Sequence, residues 1–124
     1  MPVPHDDECL VDWDVARSLT GGDEGLLDEL IEAFPAESNQ QLEAMRRGIE
    51  NGDAQLLTRS AHSLKGAALI FGASALVEAA LSMETLGRQE ELEGAGALLE
   101  SLEIEAGRLN TALASQRGRR ITHG

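Results

Sequence analysis

His62 is the residue of this chain whose type and setting could do chemistry, because it stands inside a helical pattern with Lys65 three positions on and Gly66 four positions on. A neutral imidazole keeps a lone pair on one ring nitrogen and is a nucleophile at physiological pH. A cation at i+3 shares its helix face and could balance the negative charge of a phosphoryl group carried on that nitrogen. Glycine in a helix interior costs about 1 kcal/mol relative to alanine. Gly66 therefore suggests that bulk has to be absent beside the ring, which leaves room for the group and for an incoming partner. Together the three residues describe a phosphoryl acceptor, and Lys65 is the only lysine in the sequence.

Such chemistry requires a helix that turns the ring to solvent. Leu57, Ala61, Leu64, Ala68 and Phe71 recur at alternating spacings of four and three, the pattern of a bundle seam. At about 100° per residue, and taking the centre of that seam as zero, His62 falls at roughly 140°, Lys65 at roughly 80°, Leu69 at roughly 120° and Gly66 at roughly 180°. All four are thus expected on the solvent side, with Leu69 and Ile70 offering apolar surface of the kind a docking face uses.

The flanking segments read as further helices. Asp12 caps a short one over 12–19, anchored by Trp13, Val15, Ala16 and Leu19 and broken by Thr20, Gly21 and Gly22. A long one follows Asp23, with Leu27, Leu30, Ile31, Phe34, Leu42, Met45 and Ile49 at helical spacing and Asn51 and Gly52 at its end. Pro35 must either kink or break it. Asp53 is the N-cap of the His62 helix, and Gly72 closes that helix. Ser74 is placed to cap the next, whose apolar positions are Leu76, Val77, Ala80, Leu81 and Met83, running on to Leu86 and Gly87. The last helix spans about residues 91–114, on Ala95, Leu99, Leu102, Ala106, Leu109 and Leu113. The expected fold is all-α, an antiparallel up-down four-helix bundle with a short additional N-terminal helix over one end. Residues 1–11 are expected as a flexible lead and 115–124 as a flexible basic tail containing Arg117, Arg119 and Arg120.

Composition agrees and sets limits. The chain has 124 residues, 10 Lys and Arg against 22 Asp and Glu, a formal charge of -12, and 2% aromatics. That length suits one domain, and the shortage of aromatic and β-branched residues speaks against a sheet. The acidic surface disfavours nucleic acid and anionic membranes. Cys9, the single cysteine, makes no internal disulfide, and the acidic N-terminus is unlike a signal peptide. With no apolar run of membrane-spanning length, a cytoplasmic protein is expected. Met1 and the charged C-terminus point to a free-standing one.

The run Ala61-His62-Ser63-Leu64-Lys65-Gly66-Ala67-Ala68, followed by Phe71-Gly72-Ala73 and Leu76, resembles the signature of histidine-containing phosphotransfer (HPt) domains. It is also similar to the phosphotransfer domain at the N-terminus of chemotaxis-type histidine kinases. The resemblance covers about residues 12–114, including Phe34 upstream and Met83-Glu84 with Leu86 downstream. It implies a carrier whose exposed histidine takes phosphoryl from a receiver-domain phospho-aspartate, or from a sensor or hybrid kinase, and passes it to a response-regulator receiver. On this resemblance His62 is the phosphorylated residue, Lys65 stabilises the group and Gly66 gives access. Glu84 holds the position of a glutamate that in the kinase-type relatives accepts a hydrogen bond from the histidine ring.

Helix geometry is compatible with that last assignment. If residues 72–74 form the turn, His62 and Glu84 each lie about ten residues, about 15 Å, from it and face each other at one level. A carboxylate on Nδ1–H would leave Nε2 as the nucleophile; the alternative is a solvated surface charge. Leu81 departs from the kinase-type pattern, which often places a second histidine there. Arg88, one turn beyond Glu84, is a candidate phosphate contact, and Thr58, Arg59, Ser63 and Leu69 are candidate partner contacts.

The resulting expectation is a monomeric phosphorelay intermediate, not an enzyme with its own ATP-dependent activity, since no Gly-rich nucleotide loop is present. No metal-ligand spacing occurs, so the Mg²⁺ for transfer belongs to the receiver and no cofactor is expected here. Alternatives are a phosphotransfer domain excised from a hybrid or chemotaxis-type kinase and a non-phosphorylated HPt-like adaptor. A sensor-kinase dimerisation domain fits less well, because there an acidic residue usually follows the histidine and a proline lies downstream, whereas here Ser63 follows and no proline comes after Pro35. No Ser-His-Asp grouping can be assembled for a hydrolase, and His5 and His123 are expected to be inert.

Overall fold

The computed structural model describes the backbone of residues 11–123 and the side chains of 11–115. Among the described residues there are five helices and no strand: α1 (Trp13–Leu19), α2 (Glu24–Asn51), α3 (Ala54–Ile70), α4 (Ser74–Arg88) and α5 (Ala95–His123). Three begin on an aspartate whose carboxylate accepts from free backbone N–H groups, which satisfies donors that a helix start leaves without partners. Asp12 accepts from Asp14 and Val15, Asp23 from Leu26, and Asp53 from Leu56. Gly52, with φ 66°, ends α2 in the left-handed region that glycine enters without steric cost.

Each of the four longer helices packs on two others, α2 on α3 and α5, and α4 on α3 and α5. Their shared core contains Leu27, Ile31, Phe34, Met45, Leu57, Leu64, Phe71, Leu76, Met83, Leu102 and Leu109. Burial of each such side chain contributes about 1.5–3 kcal/mol. The rings of Phe34 and Phe71 meet edge to face, centroids 5.7 Å apart, an arrangement favoured by the aromatic quadrupole. Arg46 of α2 ion-pairs with Glu103 of α5. The short α1 is tied to the end of α3 by a hydrogen bond from the Asp12 N–H to the Phe71 carbonyl at 2.8 Å. A Cβ on Gly72 would lie 2.6 Å from the Asp12 Cβ, and its φ is 59°, so both close approach and backbone conformation call for glycine.

Several expectations are corrected. Val11, assigned to the lead, is buried in the core, so the ordered domain includes it; residues 1–10, with His5 and Cys9, lie outside the described residues. Leu19 and Leu81 are exposed rather than seated in the apolar stripes. Helical spacing marks a face, but neighbouring helices cover only part of it. Ala73, not Ser74, occupies the N-cap of α4, which has no side-chain cap bond. The last helix starts at Ala95 rather than near 91, because Glu90 and Gly94 both have positive φ, 57° and 107°. Its backbone runs on to His123 where a tail from 115 was expected, since Gln116, Arg117, Arg119 and Arg120 are good helix formers. The side chains of Arg117, Arg119, Arg120 and His123 lie outside the described residues. Pro35 does not break α2: it sits on the exposed face of an uninterrupted helix, where it removes the donor that the Ile31 carbonyl would have used.

Candidate functional site

The capped α3 carries His62 on its outer face while Ala61 and Leu64 on either side are fully buried. The His62 side chain is 65% exposed. Opposite it, Glu84 of α4 is 1% exposed and yet takes three donors. Nδ1 of His62 lies 3.0 Å from Glu84 Oε2, Lys65 Nζ lies 2.7 Å from Oε1, and an Arg88 guanidinium nitrogen lies 2.6 Å from Oε2. Met83, beside Glu84, is fully buried and fixes the phase of α4.

A carboxylate removed from water keeps its charge only if partners replace the lost hydration. Here the balance falls on the charged side. The Lys65 hydrogen bond is the largest influence holding Glu84 below its usual range, burial opposes it, and the His62 hydrogen bond and the Arg88 and Lys65 charges add to the lowering. An ionised Glu84 can only accept, so in the neutral ring the proton sits on Nδ1 and the Nε2 lone pair is left free. The geometry thus holds a largely exposed ring through its Nδ1 and brings two cations, Lys65 and Arg88, to the same carboxylate.

Lys65 differs from expectation: its side chain is 21% exposed rather than open to solvent, because Glu84 draws it inward. A Cβ on Gly66 would meet nothing within 4 Å, so no group of the domain itself requires glycine there. Arg88, on the exposed face of α4, joins Gln55, Thr58, Arg59, His62 and Glu84 in lining one concavity. A second, more apolar groove between α2 and α3 is lined by Leu30, Phe34, Ser63, Gly66, Ala67 and Ile70. Arg59, Ser63 and Leu69 are exposed, whereas Thr58 is half-buried against Gly87 and donates to the Ala54 carbonyl at 2.8 Å. Sequence reasoning missed Gln55, although a seven-residue spacing from His62 puts it two turns away on the same face. It also missed Leu30 as a groove residue, for which the sequence carries no signal beyond helical periodicity. Among the described residues no group of three or more His, Cys, Asp or Glu is arranged to hold a metal ion, and no helix is long and apolar enough to cross a membrane.

The family model described as Hpt domain matches residues 29–116. Among solved structures, the chain is similar to the histidine-containing phosphotransfer protein B (HptB) of Pseudomonas aeruginosa PAO1, at 31% identity and a TM-score of 0.82, over 89% of this chain and 96% of that one. No curated protein sequence matches.

Proposed function

From the premise that this chain belongs to the Hpt domain family, whose members are phosphocarriers in phosphorelays, we propose that His62 is its phosphoryl-accepting residue. The observation that carries this reading is the buried Glu84 carboxylate 3.0 Å from Nδ1 of an otherwise exposed ring. In the proposed step, Nε2 of His62 attacks the phosphorus of a receiver's aspartyl phosphate in line. The N–P bond forms as the P–O bond to the aspartate breaks, and the aspartate leaves as a carboxylate. The ring keeps its Nδ1 proton and becomes cationic, and Glu84 offsets that charge. Lys65 and Arg88 are near enough to Glu84 to turn their donors to the transferred group, and Gly66 leaves the approach open. Return transfer to another receiver uses the same parts.

The receiver supplies Mg²⁺ from its own acidic pocket and a sensor or hybrid kinase supplies the phosphoryl group upstream; this chain acts as a cytoplasmic monomer. Arg59, Ser63 and Leu69 form the docking rim, with the apolar groove beside Gly66. We read the helices as an antiparallel four-helix bundle with α1 across one end. The pairs His62–Glu84 and Thr58–Gly87 support this, since one sequence number rises as the other falls.

The test is incubation with a receiver domain phosphorylated with labelled phosphate. Label should pass to this protein in an acid-labile, alkali-stable form and disappear in His62→Gln; label undiminished in that variant would sink the assignment.

A further inference from the structure

The 3.0 Å contact between His62 and Glu84 spans two helices, so it depends on how closely α3 and α4 approach. One turn away along the same helix pair, Gly87 of α4 is buried against Thr58 of α3. A Cβ on residue 87 would lie 2.2 Å from Thr58 Oγ1, 2.9 Å from its N and 3.0 Å from its Cα. Thr58 Oγ1 is held in place by its hydrogen bond to the Ala54 carbonyl at 2.8 Å. The other two atoms are backbone and move only with the helix. To bring the Thr58 nitrogen to ordinary contact, the helices would have to separate by about half an ångström, and by about one if the hydroxyl keeps its place.

That distance is comparable to the tolerance of the site. A hydrogen bond at 3.0 Å is near its optimum, and by about 3.5 Å most of it is lost. Separation would act selectively. Glu84 reaches His62 and Lys65 across the interface, whereas its bond to Arg88 lies within α4 and would survive. We infer that Gly87 is a positioning residue, whose missing side chain sets the α3–α4 spacing at which Glu84 holds the His62 ring. The inference rests on the phosphotransfer reading of His62.

The experiment compares Gly87→Ala with the unaltered chain by two readouts: ring ¹⁵N shifts of labelled His62 at a pH where imidazole is neutral, and the initial rate of phosphoryl uptake from a phosphorylated receiver domain. Gly87→Ala should lower the Nδ1–H tautomer population and slow uptake at least tenfold, the order expected when a reacting group is misplaced by a fraction of an ångström. Thr58→Ala combined with Gly87→Ala removes the hydroxyl contact and should restore part of the ring signature; it carries the same test if Gly87→Ala alone does not fold. Gly48→Ala is the control for packing loss, since its Cβ would press on Asp53 O and Leu57 N at 3.1 Å, between α2 and α3. It should lower the melting temperature without altering the ring. Unchanged ring shifts and rate in folded Gly87→Ala would overturn the inference, as would the same ring change in Gly48→Ala. An unaltered chain that takes no phosphoryl would defeat the phosphotransfer reading instead, and the ring shifts would still decide the role of Gly87.

Discussion

Glu84 keeps its charge out of water because Lys65, His62 and Arg88 all reach it, and the consequence can be measured as a pH dependence of stability. Its folded-state pKa lies below the ordinary value of 4.5, so just below that value the unfolded chain binds the proton more readily than the folded one. The contribution is therefore complete above about pH 4.5 and is lost as pH falls through the lowered folded value. Glu84→Gln should cost on the order of 1–2 kcal/mol near neutrality. Thermal melts from pH 7 to 3 should show its difference from the unaltered chain shrinking toward the acid end. Gly66 makes the opposite case. Its Cβ position is empty space, so Gly66→Ala should stabilise the isolated domain by about 0.5–1 kcal/mol through helix propensity alone. On the proposed access role the same methyl would face the incoming partner, so phosphoryl uptake should fall several-fold while chemical denaturation shifts to higher urea. Equal or faster uptake would remove the access role.

Among the helices, α3 and α4 make the most extensive pairing and carry between them His62, Lys65, Glu84 and Arg88. Helix α2 contributes differently, by walling the apolar groove beside Gly66 with Leu30 and Phe34. It does so with a proline on its exposed face. Pro35→Ala restores a donor to the Ile31 carbonyl and removes a ring that a helix interior disfavours by about 3 kcal/mol. The variant should gain about 1 kcal/mol or more in urea unfolding and keep its helical circular dichroism. A loss of stability would show that the proline shapes the packing of α2 on α3 and α5.

For the whole molecule the dominant electrostatic quantity is the net charge of -12. Like charges across a small surface repel one another and oppose compaction, and salt screens them, with a Debye length of about 30 Å at 0.01 M falling to about 8 Å at 0.15 M. The melting temperature should therefore rise between those salt concentrations. A fall would mean that attractive pairs such as Arg46 with Glu103, and the Glu84 cluster, outweigh the repulsion.

Much of this was legible in one dimension because helices translate spacing into faces. The alternation of fours and threes in α3 marked Leu57, Ala61, Leu64, Ala68 and Phe71 as buried, and all five are. The same arithmetic turned His62 outward, and Asp12 and Asp53, read as N-caps, announced two helix starts. The register of α3 against α4 could be estimated by counting residues from their turn, which brought Glu84 level with His62. Counting could not show that Glu84 would be buried, that Lys65 would turn inward to it, or that Leu19 and Leu81 would stay uncovered. Periodicity is a property of one helix, whereas burial, ion pairing and the 3.0 Å contact depend on the distance between two. That distance is set by atoms such as those of Gly87 and Thr58, which lie 29 positions apart in sequence and touch only after folding.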